Sequence, residues 1–216
     1  MTELLVIGDL HGKWGAYAQI LETQEPERSI QIGDFGWGFA PNSAWQDNVH
    51  NMMTDTSGVH QYFRGNHDDP VACAAHEFCL PDVHYEPDTG VMAVAGANSI
   101  DRALRTEGLD WWEDEELSYD DLYKAIDEYE INKPRIMLSH ECPESVVWKS
   151  FSWYRKEYPS RTREALDSML AIHAPDVWIF GHWHKHIDHV INGTRFICLD
   201  ELQTLSIATD TLKITY

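Results

Sequence analysis

The chain has 216 residues, enough for one domain with a substantial buried core, and we expect residues 1–216 to form a single domain. Its net charge of −20 argues against broad, non-specific binding to DNA or to an anionic membrane, because an acidic surface is repelled by both. The four cysteines include no Cys-x-x-Cys pair, so a thiolate zinc site is not expected either.

Short runs rich in Val and Ile alternate with windows of helical periodicity over most of the chain. Each run predicts a buried strand, and apolar residues at intervals of three or four predict a helix. Asn42 or Ser43 is expected to cap the second helix, and Ser118 the fourth. In chain order, the pattern predicts strands over 4–7, 29–32, 60–63, 91–95, 135–138 and 177–180, with helices over 14–22, from residue 42 or 43 to about 53, from residue 70, over 117–131 and over 161–172.

The C-terminal part of the chain has a different pattern, because apolar and polar residues alternate there. Strands are expected over 186–191, 195–199, 204–208 and 212–216. Asn192-Gly193 and Asp210-Thr211 are expected to form turns between them. Strand–helix units followed by a strand meander predict an α/β fold in which two packed sheets are covered by helices.

Five short blocks of metal-binding residue types occur along the chain, and most of them follow a predicted buried strand directly. Strand ends at one edge of an α/β sheet are where ligand sites form, so we expect the blocks to converge. Oxygen and imidazole donors without thiolates suit Mn, Fe, Zn or Mg. The blocks are Asp9-Leu10-His11, Gly33-Asp34, Gly65-Asn66-His67-Asp68, His140 and Gly181-His182-Trp183-His184.

Each block taken alone also has an ordinary interpretation as turn chemistry or as a buried histidine. On an extended segment, alternate residues face the same side, so Asp-x-His and His-x-His would each present two ligands together. Gly65 permits a sharp turn after its strand. Asn66 would then ligate through its amide oxygen, while His67 projects toward the substrate and Asp68 orients the His67 ring.

The order and spacing of the five blocks resemble the calcineurin-like metallophosphoesterase superfamily. The pattern in that superfamily is Asp-x-His, Gly-Asp, Gly-Asn-His-Asp/Glu, His and Gly-His-x-His, and here it runs from Asp9 to His184. Residues 8–12 and 64–68 look like the serine/threonine phosphatase branch, whereas residues 96–102 and Trp111-Trp112 resemble small bacterial and phage-type members. The resemblance implies a four-layer αββα sandwich of two mixed sheets flanked by helices, with a dinuclear metal site at strand ends.

The resemblance also implies a role for each residue of the blocks. Two divalent or trivalent metal ions are expected, with Mn as the first choice and Fe, Zn, Ni, Co or Mg as alternatives. A hydroxide bridging the ions would attack phosphorus. His67 would be the general acid with Asp68 as its partner, and Arg64 and Asn66 would bind the substrate phosphate. One metal would take Asp9, His11, Asp34 and His184, and the other Asp34, Asn66, His140 and His182.

One departure from the phosphatase branch follows Gly33-Asp34, where Phe35-Gly36-Trp37-Gly38 replaces a segment that carries an Asp and an Arg in that branch. The missing Arg argues against a phosphoprotein phosphatase. We therefore expect metal-dependent hydrolysis of phosphate mono- or diesters. The alternatives are a phosphoprotein phosphatase, a nuclease, and a non-catalytic metal-binding interaction module on the same fold.

The expected partner is a small phosphate ester, with no membrane partner and weak or no binding of long duplex nucleic acid. No protein partner is indicated. The basic stretch over 149–163 either overhangs the metals or forms an ordinary loop, and Trp37 either stacks on a flat group or packs in the core. Scattered cysteines, no basic leader and no apolar stretch of ~18 residues predict a cytoplasmic protein.

Overall fold

The structure is a computed structural model that describes residues 3–39, 43–151 and 159–216. Strands and helices alternate along most of this length. In chain order they are β1 (Glu3–Ile7), α1 (Trp14–Gln24), β2 (Arg28–Ile32), α2 (Ser43–Asp55), β3 (Val59–Phe63), α3 (Pro70–Ala74), β4 (Val83–Glu86), β5 (Val91–Val94), a 3-10 turn (Arg102–Leu104), α4 (Tyr119–Asn132), β6 (Ile136–Ser139), α5 (Glu144–Ser150), α6 (Arg161–Ile172), β7 (Val177–Phe180), β8 (Ile187–Ile191), β9 (Thr194–Cys198), β10 (Thr204–Ala208) and β11 (Ile214–Thr215).

The described strands form two mixed sheets. One has the order β11-β10-β1-β2-β3, and the other has the order β4-β5-β6-β7-β9-β8. Strands β1, β2 and β3 run parallel, as do β5, β6, β7 and β9, while β10, β4 and β8 pair antiparallel with their neighbours. The carboxyl ends of the parallel strands therefore lie at one edge of each sheet, where the polar blocks follow them.

Apolar packing arranges the two sheets and the helices in four layers. One buried cluster fills the space between the sheets, and its members include Leu4, Val6, Ile30, Ile32, Ala93, Leu138, Ile179 and Ile197. A second cluster joins the outer face of the second sheet to α4, α5 and α6 through Met137, Trp178, Tyr129, Val147 and Leu166. A third joins the first sheet to α1, α2 and α3 through Leu5, Ile7, Leu21, Met53 and Cys73. The predicted fold of two mixed sheets flanked by helices is confirmed.

Local chemistry sets several element boundaries. The Ser118 side chain accepts a hydrogen bond from the Asp121 amide, so the predicted cap of α4 is confirmed. Asp69 caps α3 by accepting from the amides of Val71 and Ala72, with Pro70 at the first helical position. The predicted cap of α2 at Asn42 or Ser43 lies outside the described side chains. No described helix combines the length and apolar character that crossing a membrane requires.

Three elements were not predicted, and one strand is shorter than expected. Strand β4 lies at a sheet edge with all four residues half-buried, so it lacks the apolar run of a central strand. The 3-10 turn and α5 are short and carry no clear periodicity. The strand predicted over 212–216 is limited to Ile214–Thr215, because a turn over 209–211 precedes it.

Candidate metal centre

Two groups of metal-binding side chains meet at the strand ends, and Asp34 belongs to both. Within each group, the potential ligand atoms lie within 4.8 Å of one another. Asp34 and His140 are buried, whereas His184 is exposed, so the centre opens to solvent on one side. The first group comprises Asp9, His11, Asp34 and His184, and the second comprises Asp34, His140 and His182.

Asn66 adjoins the second group. Its amide oxygen lies 3.0 Å from His140 Nε2, and the same nitrogen lies 3.3 Å from Asp34 Oδ1. The other ring nitrogen of His140, Nδ1, donates to the carbonyl of Ile32 at 2.9 Å. This bond leaves Nε2 free of a proton in the neutral ring, which makes it available to a metal.

The backbone at the centre is turned, not extended. His11, Asp34, His182 and His184 have φ values of 50°, 55°, 68° and 45°, in the left-handed region that costs a non-glycine residue roughly 1–3 kcal/mol. The expectation that the Asp-x-His and His-x-His segments are extended is therefore wrong. Asp9 and His11 nevertheless lie in one group, and His182 and His184 lie in the two different groups to which the resemblance assigned them.

Two glycines permit close packing around the carboxylates. A Cβ atom on Gly181 would lie 2.2 Å from Asp9 Oδ1, and one on Gly65 would lie 2.2 Å from Asp34 Oδ1. Gly65 is not among the residues with a positive φ, and the chain turns directly after it, over residues 66–67, as expected. Its role is steric, because any side chain there would displace the carboxylate shared by the two groups.

Backbone amides hold both carboxylates in place. The His182 amide donates to Asp9 Oδ2 at 3.0 Å, and the His67 amide donates to Asp34 Oδ1 at 2.8 Å. The first bond joins the segments after β1 and β7, which belong to different sheets, and the second joins the segments after β2 and β3, which are neighbours in one sheet. The ligand residues are therefore positioned by the strands and not by flexible side chains alone.

The charges of the centre favour a bound cation. Burial alone would lower the pKa of His140, but the negative charges of Asp34 and Asp9 raise it to about 10. A hydrogen bond with Asp9 likewise raises the pKa of His184. Burial would raise the pKa of Asp34, yet His140 and His67 hold it well below its usual value. The buried carboxylates thus draw protons onto the imidazoles of His140 and His184, and a metal ion would compete for the same nitrogens.

The donor set fits a pair of metal ions. It consists of carboxylate and amide oxygens with imidazole nitrogens and contains no thiolate, which suits Mn, Fe, Zn, Ni or Co. The Nε2 atoms of His11 and His184 lie 2.9 Å apart, as expected for donors aimed at a common point. Asp34, shared by both groups, is placed where one carboxylate could bind two ions.

His67 lies beside the centre but belongs to neither ligand group. Its ring centroid is 5.5 Å from that of His11, and its Nε2 atom lies 3.2 Å from Asn66 Nδ2 and 3.3 Å from Arg105 Nη2. Burial lowers the pKa of His67, and the positive charge of Arg105 lowers it further. Its Nδ1 atom is buried without a hydrogen-bond partner among the described residues.

Asp68 has a different role from the predicted one. Its carboxylate accepts hydrogen bonds from the amides of Phe35, Gly36, Trp37 and Gly65, at 2.6–3.1 Å. Burial raises its pKa to about 6 despite these bonds. None of the hydrogen bonds between described residues joins Asp68 to the His67 ring. The prediction that it orients this ring is therefore wrong, because Asp68 instead ties the loop after β2 to the loop after β3.

Arg64 is buried in a structural network and does not reach the centre as a phosphate ligand. Its Nε and Nη2 atoms donate to both carboxylate oxygens of Asp82, at 2.6 and 2.9 Å. Its Nη1 atom donates to the carbonyls of Asp114 and Glu115. The guanidinium has most of its N–H groups occupied and is only 4% exposed, so the predicted bidentate phosphate contact is wrong.

Two charged residues beside the centre were not predicted, namely Arg105 and Glu141. Glu141 is buried, with Oε1 accepting from the amide of Cys142 and from the indole of Trp183, both at 2.8 Å. Its Oε2 atom lies 3.7 Å from His182 Nε2, so it faces a ligand of the second group. The position of Glu141 directly after His140 is a sequence feature that could have predicted its place beside the centre. Arg105 is 38 residues from His67, and no sequence feature marks it.

Aromatic side chains around the centre divide between core and cleft. Trp37 is buried and stacks on His76 with ring centroids 3.8 Å apart, so it packs in the core and is not placed to stack on a ligand. The Phe39 ring lies 5.6 Å from His67 and 6.3 Å from Trp112, which places both aromatic residues along one wall of the cleft.

The predicted basic stretch over 149–163 is described only in part, since Arg155 and Lys156 lie outside the described residues. Arg161 donates to the carbonyls of Leu117 and Glu116. Arg163 is buried, with its Nε atom 3.3 Å from Glu144. Both arginines therefore tie α6 to neighbouring segments.

Comparison with known proteins gives one family match. The family model described as calcineurin-like phosphoesterase matches residues 2–186, a range that contains every residue of both ligand groups. No curated protein sequence matches the chain.

Several solved structures share the fold. A protein named as a 5′-nucleotidase from Staphylococcus aureus is 13% identical with a TM-score of 0.56, covering 95% of this chain and 50% of that one, so this chain spans half of its length. A dimetal phosphatase from Danio rerio is 11% identical with a TM-score of 0.53, over 94% of this chain and 91% of that one. GAP50, the anchor in the inner membrane complex of Plasmodium, is 9% identical with a TM-score of 0.55, over 100% and 88%. At such identities the similarity concerns the fold alone.

Proposed function

This chain belongs to the calcineurin-like phosphoesterases, a family of metal-dependent hydrolases, and we propose that it hydrolyses small phosphate esters with two metal ions held at the strand ends. The observation that carries the proposal is Asp34, whose carboxylate belongs to two adjacent ligand groups. A shared carboxylate is typical of sites in which two ions act on one phosphoryl group.

Asp9, His11, Asp34 and His184 would hold one ion, and Asp34, Asn66, His140 and His182 the other. When bound, the ions would offset charge on the phosphoryl oxygens and lower the pKa of water at the site. Mn is our first choice, with Fe, Zn, Ni, Co and Mg as alternatives, since oxygen and imidazole donors accept each of them.

The protein's own contribution to proton transfer is assigned to His67. Its Nε2 atom lies beside Asn66 and Arg105 on the cleft side of the centre. A proton held at this atom would pass to the oxygen of the departing alcohol, which otherwise leaves as an unstable alkoxide. Phe39 and Trp112 form the neighbouring wall and would limit the access of water to that oxygen.

Small esters are favoured over long polyanions as substrates. A chain with a net charge of −20 repels duplex nucleic acid at long range, whereas a small ester can reach the local positive charge of the centre. A nuclease and a phosphoprotein phosphatase remain the alternatives within the family. The four cysteines are free thiols in the structure, which supports a cytoplasmic location.

A non-catalytic interaction module on the same fold is the alternative from a different class. Loss of ligand residues or of His67 would favour that alternative. Here all seven predicted ligand residues and His67 are present and lie together, which supports an enzyme.

The test is hydrolysis of a phosphate monoester and a phosphate diester that share one leaving group, para-nitrophenyl phosphate and bis(para-nitrophenyl) phosphate. Metal-free protein should be inactive, and titration with Mn²⁺ should restore turnover together with about two bound ions per chain. Each alternative metal is tested in the same way, with bound metal measured by elemental analysis. Full activity after chelation, with no bound metal, would overturn the proposal.

A further inference from the structure

Arg105 lies at the cleft directly after the 3-10 turn (Arg102–Leu104). Its side chain is 20% exposed, and its Nη2 atom lies 3.3 Å from His67 Nε2. Its positive charge acts on Asp34 as well as on His67. Arg105 thus brings a cation to the side of the centre where the His67 ring faces the cleft.

Asp101 fixes one edge of the Arg105 guanidinium. Nε donates to Oδ1 at 2.8 Å and Nη2 donates to Oδ2 at 2.7 Å, while Nη1 makes a long contact of 3.5 Å with the carbonyl of Asp110. A guanidinium has five N–H groups, and these contacts use three of them. The second N–H on Nη2 faces His67 Nε2 at 3.3 Å, and one N–H on Nη1 has no partner among the described residues. This N–H is available for an anion, on a group whose orientation is already set.

Two other arginines that the sequence or the fold brings near the centre are occupied by different partners. Arg64 has its guanidinium occupied by Asp82 and by two backbone carbonyls. Arg161 binds the carbonyls of Leu117 and Glu116. Position 35, just beyond Gly33-Asp34, carries a buried phenylalanine.

Phe39 strengthens the interaction that Arg105 could make. The Arg105 Cζ atom lies 6.0 Å from the centre of the Phe39 ring, and the same ring lies 5.6 Å from His67. An aromatic wall displaces water, and attraction between opposite charges is stronger where the local dielectric constant is lower.

We propose that Arg105 binds a charged, non-bridging phosphoryl oxygen of the substrate and thereby makes the enzyme prefer phosphate monoesters over diesters. A monoester carries a charge of about −1.5 to −2 at neutral pH and three terminal oxygens. A diester carries one negative charge and two terminal oxygens, so the guanidinium gains less from it. This inference rests on the proposed hydrolysis of phosphate esters and names the substrate class of that same centre.

The test compares Arg105→Ala, Arg105→Lys and Arg102→Ala in metal-loaded protein. Arg102 is an exposed arginine in the same turn, and none of the contacts described above joins it to His67 or Asp34, so its variant removes an equal charge from outside the centre. The readouts are kcat/KM for para-nitrophenyl phosphate and bis(para-nitrophenyl) phosphate, binding of inorganic phosphate by calorimetry, and bound metal per chain.

Arg105→Ala should lower kcat/KM for the monoester by ~10–100-fold, the value of one charge-assisted hydrogen bond, with a clearly smaller loss for the diester. It should also weaken phosphate binding while leaving the metal content unchanged. Arg105→Lys should keep part of the preference, because the charge remains but the planar fork is lost. Arg102→Ala should behave as wild type.

Equal losses on the two esters, or unchanged phosphate binding in Arg105→Ala, would overturn the assignment of Arg105 while leaving the hydrolase intact. An equal effect of Arg102→Ala would also overturn the assignment, because any positive charge in this turn would then have the same electrostatic effect. A wild-type protein that hydrolyses neither ester with any of the metals would instead overturn the proposed function, and this inference with it.

Discussion

The Nε2 atom of His11 lies 2.9 Å from the Nε2 atom of His184, although the two residues are 173 positions apart in the sequence. Both nitrogens also lie near Asp9 Oδ2, at 4.0 Å from His11 and 3.1 Å from His184. A single proton can be shared between two imidazoles. A metal cation bound by His11, His184 and Asp9 would accept a lone pair from all three side chains at once. This contact is the most direct structural argument for a metal in the first ligand group.

Replacing Asp34 with Asn should weaken both metal sites together. Asn keeps the size of the side chain and tolerates the left-handed backbone at this position, but it removes the charge that would offset repulsion between two ions. We expect bound metal to fall below one ion per chain and hydrolysis to be lost. Elemental analysis and initial rates provide the measurement.

The control for this variant is Asp127→Asn, which removes the same charge from an exposed position on α4. It should keep two ions and full activity. If Asp34→Asn lost only one ion and left the other tightly bound, Asp34 would be a ligand of a single site.

His67→Ala should separate proton transfer from metal binding. His67 belongs to neither ligand group, so metal content should be unchanged. Turnover should fall by ~10²–10⁴-fold for an alkyl phosphate, which needs a proton on its leaving oxygen. The loss should be smaller for para-nitrophenyl phosphate, whose leaving group is already stable as an anion. Loss of bound metal in this variant would show that His67 is a ligand.

The sequence predicts the strands that position the centre, because each is a short apolar run followed by a polar block. The same pattern does not predict which side chains near a block point away from the centre. Arg64 adjoins the Asn66 block, yet its guanidinium binds Asp82, 18 residues further along the chain. Nothing in the local sequence distinguishes an arginine that faces the cleft from one that pairs with a distant aspartate.

Arg105 is the opposite case to Arg64: it lies at the cleft but was not predicted, because its segment has no recognisable periodicity. Its pairing with Asp101 is a local contact between residues four apart, but its contact with His67 exists only because the folded chain brings the turn back to the centre. Backbone turns were also beyond the sequence. The backbone of Gly181-His182-Trp183-His184 was expected to be extended, whereas His182 and His184 have positive φ values. The resemblance, and not the spacing alone, assigned these two histidines to different metals.

Glu141→Gln should weaken the second metal site selectively. The carboxylate faces His182 Nε2 at 3.7 Å, and partners behind a metal-bound histidine set the orientation and basicity of its ring. We expect the affinity of one ion to fall by ~10–100-fold, with the other ion retained. Titration against a fluorescent chelator measures the two affinities separately.

Glu144→Gln is the matched control, because the Arg163 Nε atom lies 3.7 Å from Glu141 Oε2 and 3.3 Å from Glu144 Oε2. Glu144 is 23% exposed and is not a neighbour of His182 in the contacts described above. It should keep both affinities. An equal loss in the two variants would assign the effect to Arg163 and not to the histidine.

His76 should make the stability of the fold depend on pH, independently of the metal centre. The ring stacks on Trp37, and its Nδ1 atom lies 2.9 Å from the hydroxyl of Tyr62. Burial, together with the positive charge of His50, lowers its pKa from 6.5 to about 4. The unfolded chain therefore takes up a proton near pH 6.5, whereas the folded protein resists it until about pH 4. The stabilisation is complete above pH 6.5 and is lost as the pH falls through this window.

His76→Gln should flatten this dependence, since an amide does not titrate. Denaturant unfolding of metal-free protein at several pH values between 4 and 7 gives the measurement. Between pH 6.5 and 4, the wild type should lose about 1–2 kcal/mol more stability than the variant, a value reduced for the partial solvent access of the ring. The variant should be less stable than the wild type at pH 7, where the neutral ring is fully packed, and the difference should shrink as the pH falls. Parallel pH curves for the two proteins would show that His76 takes up its proton equally well in the folded and unfolded states.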